Sequence, residues 1–175
     1  MRVLVVGINH QLQPARFLSI GYEASQLEDG QKQQYARMLL RLIDERRVQF
    51  IGEEAKHSIE TVTQRIARIR KCRCANIEMP PSERQARGIP PGYADEGSRH
   101  SPEDIARWHQ EREQHMFKKT IELVGGPESV LILCGREHTQ ALADLFQQAG
   151  HAVENYDVNM ESWYIDDWAK HLLGS

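Results

Sequence analysis

Val130-Leu131-Ile132-Leu133-Cys134-Gly135-Arg136-Glu137-His138 is an apolar run of five residues that ends in Gly-x-x-His. Such a short, continuously apolar run suits a strand buried on both faces of a parallel sheet, where a half-exposed strand would alternate. The pattern after it predicts a helix over 137–148, stopped by Gly150, and another strand over 151–156. Strand, helix and strand in immediate succession make the β-α-β unit, which brings parallel neighbours together.

The same signature opens the chain, as the run Val3 to Val6 and then Gly7-Ile8-Asn9-His10. Residues 8–29 read as irregular. Gln31 to Arg46 is predicted to be a helix starting at Gly30, with Tyr35, Met38, Leu39, Leu42 and Ile43 at three- and four-residue spacing. Val48 to Ile51 follows as a strand closed by Gly52, and the acidic pair Glu53-Glu54 comes straight after. Ile59, Val62, Ile66 and Ile69 predict a second amphipathic helix from about Ser58, whose other face carries Arg65, Arg68 and Lys71. A short strand is expected from Cys74 to Ile77.

From Met79 to Ser101 the prolines 80, 81, 90 and 91 and three glycines argue against regular structure over most of the segment. A connection that long is usually functional or mobile, so Tyr93 with Arg84 or Arg87 is a candidate lid. Ser101 as N-cap, Pro102 at the first helical position and Asp104 at the third start a helix that runs to Val124 and ends at Gly125-Gly126. On it His109 and Glu113, like Glu111 and His115, stand four apart and could share a metal, but interleaved charges of this kind read as a solvated face. A last helix is expected over 161–173. Its Trp163, Tyr164 and Trp168 would pack on the sheet or, if exposed, mark a homo-oligomer surface.

The expected fold is α/β: a three-layer sandwich with a mainly parallel sheet of about five strands and helices on both faces, forming a single domain over 1–175. With 22 Lys+Arg against 25 Asp+Glu the net charge is −3, which disfavours nucleic acid as the main partner. No apolar run is long enough to cross a membrane, and a cytoplasmic location is expected. Three irregularly spaced cysteines agree with that. No dinucleotide fingerprint, P-loop or nucleophile elbow is present.

In sheets of this kind ligands bind beyond the carboxyl ends of the strands. The residues there are Asn9 and His10, Glu53 and Glu54, Glu78, Glu137 and His138, and Asp157 and Asn159. Two histidines and several carboxylates on one edge suit a divalent metal or acid-base catalysis.

The paired Gly-x-x-His motifs and the glutamate between them resemble the Tiki/TraB group and its haem-binding ChaN and erythromycin-esterase relatives. Gly7 and His10 match the first motif, Glu53 or Glu54 the glutamate, and Gly135 and His138 the second. Glu111 to Met116 resembles the segment ahead of the last motif, with Arg112 as its counterpart, and Ala141 to Val153 is similar to the closing helix-turn-strand. The resemblance implies the position of the site on a minimal version of that fold.

The leading expectation is a metal-dependent hydrolase acting on a small-molecule or peptide substrate. His10, His138 and one of Glu53 and Glu54 would hold a divalent ion (manganese, zinc or cobalt). The other glutamate would act as general base, and Arg112 would stabilise negative charge developing on the substrate. A metal-free version would use the same residues as acid and base. The alternative is a non-catalytic module that binds a nucleotide, RNA or other anion on the basic face of Arg65, Arg68 and Lys71, with Arg73, Arg84 and Arg87 nearby.

Overall fold

A computed structural model of the chain describes residues 1–13, 22–55, 60–94 and 99–164. Five parallel strands, β1 (Arg2–Ile8), β2 (Phe50–Glu53), β3 (Arg73–Asn76), β4 (Ser129–Gly135) and β5 (Ala152–Tyr156), form one sheet in the order β3-β2-β4-β1-β5. The helices are α1 (Tyr22–Arg46), α2 (Val62–Arg70), α3 (Pro81–Ala86), α4 (Pro102–Val124) and α5 (Thr139–Gln148). Among the described residues no helix is long and apolar enough to cross a membrane.

Successive side chains of a strand point to opposite faces, and the core divides accordingly. Leu4, Val6 and Ile8 of β1 pack with Leu131 and Leu133 of β4, with Tyr35, Met38, Leu39 and Leu42 of α1, and with Ile66 of α2. Val3 and Val5 pack with Val130, Ile132 and Cys134, with Met116 of α4, and with Leu142 and Phe146 of α5. This is the pattern that a sandwiched sheet requires.

Several boundaries depart from the sequence reading. Helix α1 starts at Tyr22 and passes through Gly30, which lies inside the helix and does not begin it. A glycine costs a helix interior about 1 kcal/mol, and a 25-residue helix packed along one face absorbs that. Pro80 and Pro81 do not prevent structure; they start α3, because proline is tolerated in a first turn whose N–H groups have no helical partner. Beyond α3, Ile89 and Tyr93 bury themselves with Met79 and Trp108 in a satellite core, so this stretch is anchored on α4. Helix α2 begins at Val62 under a capping box of Thr61 and Gln64, and the expected start at Ser58 lies outside the described residues. Val158–Met160 is a single 3-10 turn and Glu161 to Tyr164 is not helical. The rest of the expected last helix, including Trp168, lies outside the described residues. Helix α4 begins at the Ser101 cap and ends at Gly125 with φ 62°, as the sequence indicates.

The strand order positions the site. The chain leaving β2 moves outward to β3, whereas the chain leaving β4 moves the other way, across β1 to β5. The crevice between β2 and β4 is therefore the point where the connections diverge, the usual ligand position in an open parallel sheet. Glu53-Glu54 and Gly135 to His138 flank that crevice. Register then places Ile8 of β1 beside Gly135, so both Gly-x-x-His turns leave the same edge on adjacent strands.

Candidate functional site

The two motifs interlock through Gly7. A Cβ there would fall 2.2 Å from Thr139 Oγ1 and 3.0 Å from the Arg136 Cα, so the turn after β4 passes directly over the end of β1. The hydroxyl could rotate away but the backbone could not. Gly7→Ala is therefore expected to destabilise the protein by about 1–3 kcal/mol and to displace the turn carrying His138. Urea unfolding with the NMR shifts of the His138 ring would check both effects, and an unperturbed ring would contradict the interlock.

His138 is fully buried at the end of that turn. Its Nδ1 is 2.9 Å from Glu113 Oε1 on α4, while Nε2 has no hydrogen-bond partner among the described residues. That nitrogen lies 3.8 Å from Glu54 Oε1 and 3.7 Å from Glu137 Oε1. His10 Nε2 approaches the same Glu54 oxygen at 3.6 Å, with 43% of its side chain exposed. The two motif histidines thus converge on one carboxylate oxygen.

Glu53 and Glu54 are adjacent, both buried, and differently occupied. Glu54 accepts from Arg112 Nη2 at 2.5 Å and from the Gly135 backbone N–H at 2.8 Å. Burial pushes its carboxyl up, but the charges of His10, His138 and Arg112, with the Gly135 bond, outweigh that and hold it below the ordinary value. Glu53 accepts from Gln13 Nε2 at 3.2 Å and from the Thr61 hydroxyl at 2.7 Å. Burial prevails over those bonds and pushes its carboxyl up to about 7.

Arg112 is committed to protein carboxylates. Nε and Nη2 bond the two oxygens of Glu78 at 3.2 and 2.6 Å, Nη2 also bonds Glu54, and Nη1 donates to the Tyr93 hydroxyl at 3.1 Å. Tyr93 Oη lies in turn 3.2 Å from His109 Nδ1, and the His109 ring stands 4.9 Å from that of His138. Tyr93, the lid residue of the sequence reading, is thus part of the wall of the site. Asp157 caps its own turn by accepting from the Asn159 backbone N–H at 2.9 Å.

His109, Glu113 and His138 each offer a ligand atom within 4.8 Å of the others, a cluster that could hold a metal ion. The expectation of a solvated face on α4 fails here. Glu113 is buried, in line with Met116, Thr120 and Val124. A carboxylate interrupting an otherwise buried stripe is the sequence signal that would have singled it out. Burial, together with the charges of His138 and Arg112, lowers the His109 pKa. For His138, burial pulls downward, yet the Glu113 bond and the Glu54 charge raise it overall.

The basic face is less open to a ligand than its composition suggests. Arg65 and Arg68 both pair with Glu60 at 3.0 and 2.9 Å, Arg73 with Glu128, and Arg87 with Glu83 at 2.7 Å. Cys134 is a buried core residue whose thiol burial pushes up, and all three cysteines are free.

Comparisons of the chain with protein-family models, with curated proteins and with solved structures gave no match. The fold and the site define an all-parallel α/β protein with a histidine and glutamate cluster at the divergence point of its sheet.

Proposed function

We propose that this protein is a metal-dependent hydrolase, similar to the Tiki/TraB group, whose divalent ion is held by His138, His10 and Glu54. The observation that carries the reading is the environment of His138. Its Nδ1 is held by a carboxylate, and its Nε2 is buried without a hydrogen-bond partner among the described residues, 3.8 Å from a second carboxylate that His10 Nε2 also approaches. A carboxylate on the far nitrogen is how proteins orient metal-binding histidines and raise their basicity. The charges agree, because the carboxylates of Glu54, Glu113 and Glu137 approach the His138 ring nitrogens at 3.8, 2.9 and 3.7 Å, and Glu54 and Glu78 share Arg112. A site of that sign takes up a cation more readily than an anion.

Mixed imidazole and carboxylate donors suit manganese, zinc or cobalt. When bound, such an ion supplies Lewis acidity and makes water a nucleophile at neutral pH. The residues do the rest. Glu54 stays ionised at the crevice because Arg112 and the Gly135 N–H hold it so. Glu137, half exposed and 3.7 Å from His138 Nε2, is the carboxylate that would take up a proton from water. Arg112 fixes the carboxylates in place of binding substrate, and Glu53 stands behind the site, reaching it through Gln13.

Titration of metal-free protein with Co(II), followed by its visible absorption, is expected to show one equivalent bound, with binding lost in His10→Ala and His138→Ala. Unchanged metal content in both variants would sink the reading. Loss on His109→Ala with retention in His10→Ala would instead move the ion to the α4 side of the imidazole, into the His109-Glu113-His138 set. Ester or peptide hydrolysis that survives chelation would favour metal-free acid-base chemistry by the same residues.

A further inference from the structure

We propose that Gln13 is a positioning residue that fixes the tautomer of His10, so that both motif histidines present Nε2 to Glu54. The assignment rests on the metal reading for its consequence, but its geometry stands independently. Gln13 is buried at the end of the 3-10 turn that carries His10, and Val62 N–H donates to its backbone carbonyl at 2.8 Å. Its side-chain amide lies between three groups. Nε2 is 2.7 Å from the Glu54 backbone oxygen and 3.2 Å from Glu53 Oε1, and Oε1 is 2.8 Å from His10 Nδ1.

Amide orientation is decided by hydrogen-bond partners, and here it has one solution. Turning the amide over would set its oxygen against a backbone carbonyl at 2.7 Å with no proton between them. The carbonyl oxygen therefore faces His10, and it can only accept. Neutral His10 must carry its proton on Nδ1, which leaves the Nε2 lone pair directed to the crevice. Across the crevice, Glu113 imposes the same outcome on His138 from a different element and with a different acceptor. Two unrelated side chains thus prepare equivalent nitrogens around one carboxylate oxygen, and the site is organised before any ligand arrives.

An imidazole without such a partner populates both neutral tautomers. Long-range proton-nitrogen NMR of histidine-labelled protein, stripped of metal by chelation and held at a pH where His10 is neutral, reads the tautomer directly. The wild type is expected to show His10 protonated at Nδ1 and bare at Nε2. Gln13→Met keeps the length of the side chain and removes both ends of the bridge. It is expected to move His10 toward the Nε2-protonated form, to leave the His138 signals in place, and to weaken binding of zinc ion alone by about 10- to 100-fold. A wild-type His10 protonated mainly at Nε2, or an unchanged tautomer ratio in Gln13→Met, would overturn the assignment. Should the variant fail to fold, the wild-type spectrum decides by itself. Absence of zinc binding by the wild type would remove the metal reading and leave the tautomer result to stand or fall separately.

Discussion

Arg112→Ala is expected to cost about 3–5 kcal/mol of folding stability at pH 8, the range found when one partner of a buried ion pair is removed. The Arg112 side chain is 11% exposed and those of Glu54 and Glu78 are 4% and 7% exposed, so water cannot replace the lost guanidinium. Two buried carboxylates would then face one another with no permanent cation between them. In the variant Glu54 loses one of the charges that hold its carboxyl below the ordinary value, while those of His10 and His138 remain. A lowered folded pKa contributes stability that is present above the unfolded value and lost as pH falls. The deficit relative to wild type should therefore be larger at pH 8 than at pH 4. Adding Glu78→Gln removes one of the stranded charges and should recover part of the loss. Arg112→Lys should recover little, since an ammonium cannot reproduce the forked contacts to Glu78 while also reaching Glu54 and Tyr93. Urea titrations at the two pH values measure all of this. A loss below about 1 kcal/mol at both would mean that Arg112 is not the counter-charge of the cluster.

The ends of the site on β1, β2 and β4 are legible in the sequence because each follows a short apolar run, although Gly52, expected to close β2, lies inside the strand, which ends at Glu53. Parallel strands place their ends on one edge, so His10, the Glu53-Glu54 pair and His138 fall in a common region on the sequence pattern alone. Which of the two glutamates faces the crevice was not legible. The alternation of a strand guarantees that they point to opposite sides, but not which side is which, and only the partners Arg112 and Gly135 against Gln13 and Thr61 decide it.

Groups contributed by helix α4 and the segment before it were harder to read. Glu113 and His109 look like members of a charged surface until α4 is known to lie across the end of β4. Gln13 carries no signal at all in a stretch without periodicity. The prolines at 80 and 81 misled because a proline pair reads as a breaker, although at a helix start the missing N–H groups remove nothing. Tyr93 stands out in the sequence as a residue that could come over the site. Its anchoring by Trp108, Met79 and Ile89 depends on contacts from segments too far apart in sequence for local patterns to show.

The second large effect concerns Glu53, whose carboxyl burial pushes up to about 7 from 4.5. A carboxyl raised in the folded state contributes stability that is fully present below the unfolded pKa and disappears as pH rises through the folded one. The window is thus from about 4.5 to about 7. The shift is worth up to roughly 3 kcal/mol, because each pKa unit corresponds to 1.36 kcal/mol and the residue is almost wholly buried. Glu53→Gln fills nearly the same space and never ionises. Its stability relative to wild type should therefore climb across that window and level off above pH 7. Glu54 works in the opposite sense, since its lowered pKa means stability that is present above the unfolded value and lost on acidification. Wild-type stability should for this reason pass through a maximum where the two windows meet, and replacing Glu53 should remove the fall above it while leaving the acid limb of Glu54. Chemical unfolding of both proteins at half-unit steps from pH 4 to 8 separates the contributions. Parallel curves for wild type and Glu53→Gln would show that Glu53 is not a carboxylic acid held neutral by the fold, and would remove the physical contrast between the two adjacent glutamates.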